Sequence, residues 1–406
     1  MKVVIIGGGA AGFFGAITLA RYNADAEITI LEKNTKLLSK VKVSGGGRCN
    51  VTNSEQHIAQ LVKNYPRGNK ELKSVFKEFN TLDTIQFFEE LGVSLKTEKD
   101  GRVFPTTDSS QTIIDCILKE ARKLNIKVQV GINVTSITKS LNNFDIELSN
   151  HSTISCDKIL VATGGAPKLD SYHWLQKLSL DIISPVPSLF TFNIPDSKLK
   201  DLQGLSVNHA IVKIQGHKLS QEGPVLITHW GLSGPGIIKL SAWLARHLNE
   251  ANYQFNVVIN WLAEFNEETL RERLLQIKEA DSGKKVSNSA FIFNLPKRLW
   301  ERFTELADIS SEMRWGDVSK KQINVLIQEL VNATYTVKGK TTFKDEFVTA
   351  GGVNLTNINT STMESKLIPG LYFAGEVLDI DGVTGGFNFQ AAWSTGFVAG
   401  KNMAIS

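Results

Sequence analysis

Cysteine is scarce in this sequence, and what there is stands apart. Cys49, Cys116 and Cys156 are its only thiols, and no two share a CxxC or CxxxxC spacing. That argues against a redox dithiol, a cysteine-rich metal site and a disulfide scaffold, and it suits a reducing cytoplasm. The seven histidines are scattered, with no HxxxH or HExxH spacing, so no metal is expected. No run of about 18 apolar residues occurs, so no membrane span is expected. Charge of one sign is also missing: 45 basic residues stand against 41 acidic ones, net +4, spread along the chain. That argues against a nucleic-acid-binding stripe. Repeats and low-complexity tracts are absent. The lysines Lys33, Lys36, Lys40 and Lys42 form the one charge run of interest, and such a run reads first as a solvated face.

What is present is an ordinary globular composition, 42% hydrophobic and 21% charged over 406 residues, long enough for two or three domains. The N-terminus, "MKVVIIGGGAAGFFGAITLA", has the outline of a secretory signal. Its glycines point elsewhere. Val3 to Ile6 read as a short buried strand, and Gly7, Gly9 and Gly12 form GxGxxG, with Ala10 and Ala11 opening a helix. A second strand, "EITILEK", ends in Glu32, 20 residues beyond Gly12, followed by Lys33. That is the place of the carboxylate that binds a ribose hydroxyl in a doubly wound dinucleotide fold. Glycines let the backbone approach a pyrophosphate, and the positive end of the helix dipole stabilises its charge. Both nicotinamide and flavin coenzymes use such a cradle.

The C-terminal stretch "IPGLYFAGEVLDIDGVTGGFNFQAAWSTGFVAG" points to flavin. Leu371 to Ala374 read as a central strand, with Gly375 and Glu376 at its carboxyl end, where open sheets bind ligands. Gly385 and Gly386 then open a helix expected from Asn388 to Gly400, whose unpaired amides suit the electron-rich pyrimidine side of a reduced flavin. A third piece, "KILVATGGAP", is a buried strand that stops at Ala162, Thr163, Gly164 and Gly165.

The combination of "SGGGRCNVTN", "THWGLSGP", "TMESK" and "AGEVLDIDGVTGGFNFQAAWSTG" resembles the bacterial FAD-binding family that includes aminoacetone oxidases and 3-oxo bile acid reductases, within the two-dinucleotide-binding-domain flavoproteins. The resemblance runs from Lys2 nearly to the last residue. It implies a non-covalent FAD along Ser44 to Thr52: Gly45, Gly46 and Gly47 for close approach, Arg48 as a fork of donors, and Asn50 and Thr52 as donors to the ribityl chain or flavin edge. Val134, Asp381, Phe387, Asn388 and Gln390 are carried with these as cofactor contacts. Cys49 is either a thiol beside the flavin or, more commonly for a lone cysteine, a small buried hydrophobe. The family usually has a glycine and a basic residue where this chain has Leu38 and Ser39; Lys40 matches and reads as a phosphate or ribityl contact.

The fold expected is α/β: a Rossmann-like FAD-binding domain over 1–187 and 348–406, an inserted β-barrel-like domain over 188–262 and 334–347, and a helical subdomain over 263–333. In "YQFNVVINW", Phe255, Val257, Ile259 and Trp261 alternate onto one face, Leu299, Phe303 and Leu306 recur at helical spacing, and "SKKQ" at Ser319 to Gln322 reads as a capping box. The insert is expected to cap the flavin and form most of a substrate pocket. No second GxGxxG exists, so electrons come either from NADH or NADPH bound transiently or from the substrate itself. His229, after the strand "PVLIT", is the best acid–base candidate, with a backbone-bonded structural role as the plainer reading; Asp379 and Asp381 are further titratable candidates. The expected activity is NAD(P)H-dependent reduction of a small enone or carbonyl compound. Behind it stand an oxygen-using oxidase of small amines, a flavin redox sensor and an RNA-modifying flavoenzyme. The expected partner is a small molecule, with no nucleic acid, membrane or obligate protein partner.

Overall fold

The structure is a computed structural model, and it describes residues 1–141, 143–195, 197–341 and 348–405. The chain forms two compact units, Met1–Ser188 with Phe343–Ser406, and Leu189–Thr342. The return crossing expected at 347/348 borders residues 342–347, which lie outside the described ones.

The first unit is built on a parallel sheet. Strands Leu371–Phe373, Lys158–Val161, Lys2–Ile6, Glu27–Glu32 and Lys127–Val130 lie side by side in that order, all parallel. Two short antiparallel strands, Ile358–Asn359 and Glu364–Ser365, extend the Leu371 edge. Val3, Val4 and Ile5 are wholly buried, as are Ile159, Leu160 and Val161. β-branched runs without alternation are what a sheet covered on both faces demands. The Leu371 strand stops at Phe373, one residue short of the sequence reading, and has the Lys158 strand on one side and Glu364–Ser365 on the other.

The first helix, Ala10–Tyr22, and the last, Phe387–Ile405, pack face to face. The last helix begins one residue earlier and runs five further than the Asn388–Gly400 expected. Neither helix has a strongly polar face, because each is buried nearly all round. Their contact is made of glycines. A Cβ on Gly15 would come within 2.5 Å of Leu160 Cδ2, one on Gly396 within 2.7 Å of the Ala11 carbonyl oxygen, and one on Gly400 within 2.3 Å of the Gly15 carbonyl oxygen.

The second unit is an antiparallel sheet whose strands follow the order Ala333–Lys338, Gln254–Asn260, Ser206–Ile214, Ser220–Ile227, Gly231–Ser233, Thr191–Asn193 and Lys340–Thr341. Its two ends are one stretch of chain, since only Gly339 separates Lys338 from Lys340. Residues 333–338 pair with Gln254–Asn260, and Lys340–Thr341 pair with Thr191–Phe192, so the sheet closes on itself like a barrel. Val257, Ile259 and Trp261 point into the core as the alternation predicts, and Phe255 is partly buried against it. Helices Glu267–Ala280, Lys297–Leu306 and Lys320–Val331 cover this core. Pro296 caps the second, and the Ser319–Gln322 capping box opens the third. Inside, Trp300 Nε1 donates to the Val286 carbonyl at 3.0 Å and Trp315 Nε1 to Ser289 Oγ at 2.9 Å, so both indoles are buried without an unpaired donor.

The glycine crossing of the first and last helices makes a quantitative demand. Gly400→Ala should destabilise the first unit by about 1–3 kcal/mol or more, read as a lowered urea midpoint. Gly283→Ala, where a Cβ meets nothing within 4 Å, should leave the midpoint unchanged or slightly raised.

Candidate functional site

The carboxyl ends of the parallel strands are stitched to one another. Gly7 N donates to Leu31 O at 2.8 Å, Ala162 N to Ile6 O at 2.8 Å, and Ala374 N to Val161 O at 3.0 Å. Gly7 to Gly12, Glu32, Ala162 to Gly165, and Gly375 with Glu376 therefore stand along one rim, the place where open α/β sheets receive ligands. Glu32 Oε2 accepts from Gly8 N at 2.8 Å, and Oε1 accepts from the backbone and side-chain nitrogens of Asn34, each at 2.9 Å. Lys33 beside it is exposed, and so is Thr163. Ile132 N donates to Glu32 O at 2.9 Å, which brings Val134, first residue of the strand Val134–Lys139, to the same end of the sheet.

The glycines of GxGxxG do different work. A Cβ on Gly12 would lie 2.0 Å from the Gly7 carbonyl oxygen, and one on Gly7 2.3 Å from the Ala162 carbonyl oxygen, so the turn itself requires both. A side chain at Gly12 would collide inside the turn itself. Gly9 is the exception. Its φ of −96° suits any residue, and a Cβ there meets nothing within 4 Å. Nothing in the chain asks for glycine at this position, directly before the first amides of the helix that Ala10 opens; room for a close-lying anionic group explains it. The residues present thus fit a dinucleotide pyrophosphate. On the other side, a Cβ on Gly375 would press within 2.8 Å of Ala11 Cβ, and Gly375 N donates to Thr395 Oγ1 at 2.9 Å.

Lys40 reaches the rim through an ion pair, its Nζ 2.6 Å from Glu376 Oε2. It sits in the helical segment Ser39–Gly47, which starts from Leu38 in the left-handed region (φ 52°) and is broken at Ser44, φ −63° and ψ 149°. The family's glycine at position 38 now has a reason: the backbone is left-handed there, and this chain puts a wholly buried leucine into it, with its N–H donating to Gly8 O at 2.9 Å. After Ser44, whose hydroxyl donates to Val41 O, the chain turns through Gly45, Gly46 and Gly47, all at positive φ.

Several side chains expected at the cofactor have other partners. Arg48 places Nη1 2.8 Å from Glu98 and 3.5 Å from Asp108, with its guanidinium carbon 4.0 Å from the Phe104 ring centre, so the fork expected to meet cofactor oxygens holds two carboxylates instead. Cys49 is fully buried, and burial pushes its thiol up to about 12, which makes it the small hydrophobe rather than a thiolate. The Asn50 amide spans two segments, Nδ2 donating to Thr52 O and Oδ1 accepting from Gly386 N, each at 2.9 Å. Thr52 Oγ1 donates to Gln390 Oε1, which also accepts from Thr84 Oγ1 at 2.9 Å, while Gln390 Nε2 donates to Ser394 Oγ at 2.8 Å. Thr52 and Gln390 are wholly buried in this network, so they tie strand to helix instead of offering donors to a ribityl chain. Asn388 makes two 2.8 Å bonds to the backbone of Gly382 and closes the loop before the last helix. Phe387 is buried, and its carbonyl accepts from Tyr65 Oη at 2.7 Å. A Cβ on Gly386 would lie 2.4 Å from Thr52 O, and the Gly385 carbonyl accepts from Asn53 Nδ2 at 3.1 Å.

Asp381, expected at the cofactor, is wholly buried against Arg67, whose Nε and Nη2 both donate to it; Ser188 Oγ adds a third bond at 2.7 Å. Burial pushes this carboxyl up to about 6 against the opposing pull of Arg67 and Ser188. Its role is to pin the loop. Arg67 was not singled out in the sequence; the signal available was the turn-like "YPRGN". Thr349 was missed as well. Its N–H donates to Glu376 Oε1 at 2.9 Å, and it precedes the Gly351–Gly352 pair. Tyr172 also joins, its Oη accepting from Ala166 N at 3.0 Å.

In the second unit, His229 is exposed in the turn between Ser220–Ile227 and Gly231–Ser233. The turn is held by Thr228 N donating to Gly231 O at 2.8 Å and by Trp230 Nε1 donating to Thr191 Oγ1 at 3.3 Å. Asp379 in the first unit is half-buried, its N–H donating to Val353 O. Among the described residues no cluster of His, Cys, Asp and Glu could hold a metal, and no helix is long and apolar enough to cross a membrane.

Comparison with known proteins bears on this geometry. The family described as HI0933-like protein Rossmann domain matches residues 1–402. The chain is 31% identical to the ribosomal RNA dihydrouridine synthase of Escherichia coli K12, over 98% of this chain and 97% of that one. It is 28% identical to the 3-dehydro-bile acid delta(4,6)-reductase of Clostridium scindens, over 99% of both chains. Among solved structures, the 3-ketosteroid-delta4-(5alpha)-dehydrogenase of Rhodococcus jostii RHA1 superposes with a TM-score of 0.52 at 14% identity, covering 99% of this chain and 97% of that one, a likeness of fold.

Two outcomes follow from the site. Gly9→Val should fold with a near-native urea midpoint yet purify without the yellow of bound flavin, whereas Gly12→Val should fail to fold at all; a yellow Gly9→Val at full stoichiometry would displace the dinucleotide from this turn. Arg67→Met strips a buried carboxylate of its counter-charge, so the folded-state pKa of Asp381 rises further above its unfolded value. A carboxyl shifted upwards supports the fold below the unfolded value and withdraws that support as pH climbs through the folded one. The variant should lose about 3–5 kcal/mol at pH 8 and distinctly less at pH 5, measured by urea denaturation at both.

Proposed function

Since the chain belongs to the HI0933-like family of FAD-binding Rossmann proteins and is an FAD-dependent oxidoreductase, we propose that it reduces a carbon–carbon double bond conjugated to a carbonyl, with a reduced nicotinamide as the electron source. The observation that carries this is the chemistry common to its full-length relatives. A 3-dehydro-bile acid with double bonds at positions 4 and 6 is a conjugated ketone, and making dihydrouridine saturates the uracil ring bond conjugated to a ring carbonyl. Saturating the bond next to the carbonyl adds a hydride to the β-carbon and a proton to the α-carbon, and saturating the 6,7 bond of the diene is the vinylogous counterpart, with the hydride at the δ-carbon.

FAD, when bound, supplies hydride transfer between the reduced nicotinamide and the acceptor. The chain's part is position and electrostatics. The space at Gly9 and the amino end of the first helix take the pyrophosphate, and Glu32 takes a ribose hydroxyl. Glu376 and Lys40 stand paired further along the same rim and would be available to hold the cofactor's polar groups. The nicotinamide binds transiently, since no second GxGxxG is available to hold it.

For the acceptor we put uridine in ribosomal RNA first. The Escherichia coli relative at 31% identity is more similar than the bile acid reductase at 28%, and a second relative named as the same synthase, from Haemophilus influenzae, is 29% identical. This departs from the small acceptor that balanced charge suggested. A net charge of +4 provides no phosphate-binding stripe, so recognition would rest on contacts around one nucleotide and show a shallow dependence on salt. A small 4-ene-3-one is the second reading, favoured by the bile acid reductase.

The test is anaerobic. The purified yellow protein is mixed with NADH, then NADPH, and the flavin absorbance is followed; bleaching by either is expected. The bleached protein is then offered ribosomal RNA from cells lacking the gene, or a 4-ene-3-one steroid. Return of the absorbance with RNA, together with new dihydrouridine by mass spectrometry, supports the first reading, and return with the steroid alone supports the second. Reoxidation by oxygen only, with peroxide released, overturns both.

A further inference from the structure

The outer face of the second unit's sheet carries a pocket that neither its core nor the cofactor reading uses. Along the strands Val212 and Ile214, Val257 and Ile259, and Ala333 and Tyr335 turn into the core, so Lys213, Val258 and Thr334 between them turn outward. These three stand in register on adjacent strands, Lys213 beside Val258 and Val258 beside Thr334. Val258 is only 6% exposed although it faces outward. It is the floor of a pocket of about 280 Å³ whose walls include Lys213, His217, Asn332 and Thr334.

The next outward row shows how polar side chains on this face satisfy one another. Asn256 Nδ2 donates to Gln215 Oε1 at 2.8 Å, and Thr336 Oγ1 donates to Asn256 Oδ1 at 3.0 Å. The pocket row is left open. Among the described residues Lys213 has no ion-pair partner, and the Thr334 hydroxyl makes only a long bond, 3.3 Å, to Asn332 O. A tight turn supplies the third group: His217 N donates to Ile214 O at 3.0 Å across Gly216, whose φ of 80° is the conformation that such a turn asks of glycine. Leu219 N then donates to His217 Nδ1 at 3.1 Å, which fixes the ring and leaves Nε2 to carry the N–H of the neutral imidazole. Asn332 adds no donor, because its amide nitrogen is engaged by Glu267 and Gln328.

An ammonium, an imidazole N–H and a hydroxyl thus meet over an apolar floor. Separate single donors suit an oxyanion with several oxygens, such as a phosphate, which lysine meets as a point charge; a planar carboxylate would call for the fork of an arginine. The volume lies below the roughly 300–1,000 Å³ of pockets that enclose a whole drug-sized ligand, so this one takes a single group of a larger molecule. We propose that the pocket binds one phosphate of an RNA strand, with Lys213 and His217 as the donors that hold it. The proposal rests on the reading of the acceptor as ribosomal RNA, and it supplies a contact that a net charge of +4 leaves unassigned. One phosphate needs no basic stripe, and for a single strand it contributes a slope of about −0.7 to the logarithm of affinity against the logarithm of salt.

The experiment uses the full chain with its flavin. Dissociation constants for ribosomal RNA from cells lacking the gene are measured across a range of salt, with and without inorganic phosphate, for the native protein, Lys213→Gln and His217→Asn. Asparagine at 217 keeps a side-chain acceptor for Leu219 N and loses the donor to the pocket. Each variant is expected to bind the RNA about 3- to 10-fold more weakly with an unchanged urea midpoint, and Lys213→Gln to flatten the salt slope by about 0.7. Inorganic phosphate should displace RNA from the native protein and lose that effect in Lys213→Gln. A structural role for either residue would move the urea midpoint and leave the slope alone. RNA bound by the native protein and equally well by both variants, or a salt slope that Lys213→Gln does not alter, overturns the proposal while the reading of the acceptor stands. A native protein that binds inorganic phosphate but no RNA overturns both, and assigns the pocket to the free ion.

Discussion

The approach of the first and last helices is the constraint on which the first unit depends. Gly15, Gly396 and Gly400 let two helix backbones come together at a distance that any side chain would forbid. The residues that make the contact are some 380 positions apart in the chain, Gly15 and Gly396 among them. Closing so long a loop is expensive in entropy only logarithmically, and a near-continuous apolar surface offsets it. The consequence reaches the rim of the sheet, because Gly12 on the same first helix turns against Gly7 and Gly375 presses on Ala11. The same close approach that joins the chain ends sets the height of the glycine turn above the strands.

From that crossing the last helix projects its amino end toward the strand Thr52–Asn53, and a polar network fixes it there. Trp393 Nε1 donates to Val51 O at 2.9 Å, Thr52 meets Gln390, and Asn50 bridges to Gly386. The bonds are buried and mutually satisfied, which is the condition under which a polar interior specifies one arrangement rather than weakening it. Asp381 and Arg67 extend the pattern to the loop just ahead of the helix, where Ser188 joins them. The three glycines that follow Ser44 have a backbone that only glycine takes without strain.

Much of this was legible. GxGxxG with a strand on either side and Glu32 at its distance read correctly, because each rests on local geometry: a tight turn, a helix start, a strand end. The strand Lys158–Val161 and the glycine opening of the last helix read for the same reason. What did not read was the direction in which individual polar side chains point. Arg48, Thr52, Asn388, Gln390 and Asp381 were placed at a cofactor because their chemistry suits one, yet their partners are Glu98, Gln390, Gly382, Thr84 with Ser394, and Arg67. Those partners lie from 4 to more than 300 residues away, and most at separations no local pattern reports. Leu38 is instructive in the other sense: a departure from the family's glycine was visible in the sequence, but the left-handed backbone it must occupy was not.

The polar groups along the rim divide by how completely their bonding capacity is used. Where a side chain has spent its donors and acceptors inside the protein, as Gln390 and Asn388 have, replacing it should be felt as lost stability, and its closeness to the site is incidental. Where space remains that the chain does not need, as at Gly9, the protein carries a cost that folding alone does not repay. Natural sequences keep such costs where something outside the chain compensates them. The division also explains why fold and cofactor are shared over whole chains by relatives named for acceptors as different as a bile acid and ribosomal RNA. The glycine turn and the buried network are fixed by packing within the chain, whereas the groups that meet an acceptor are not bound by that constraint.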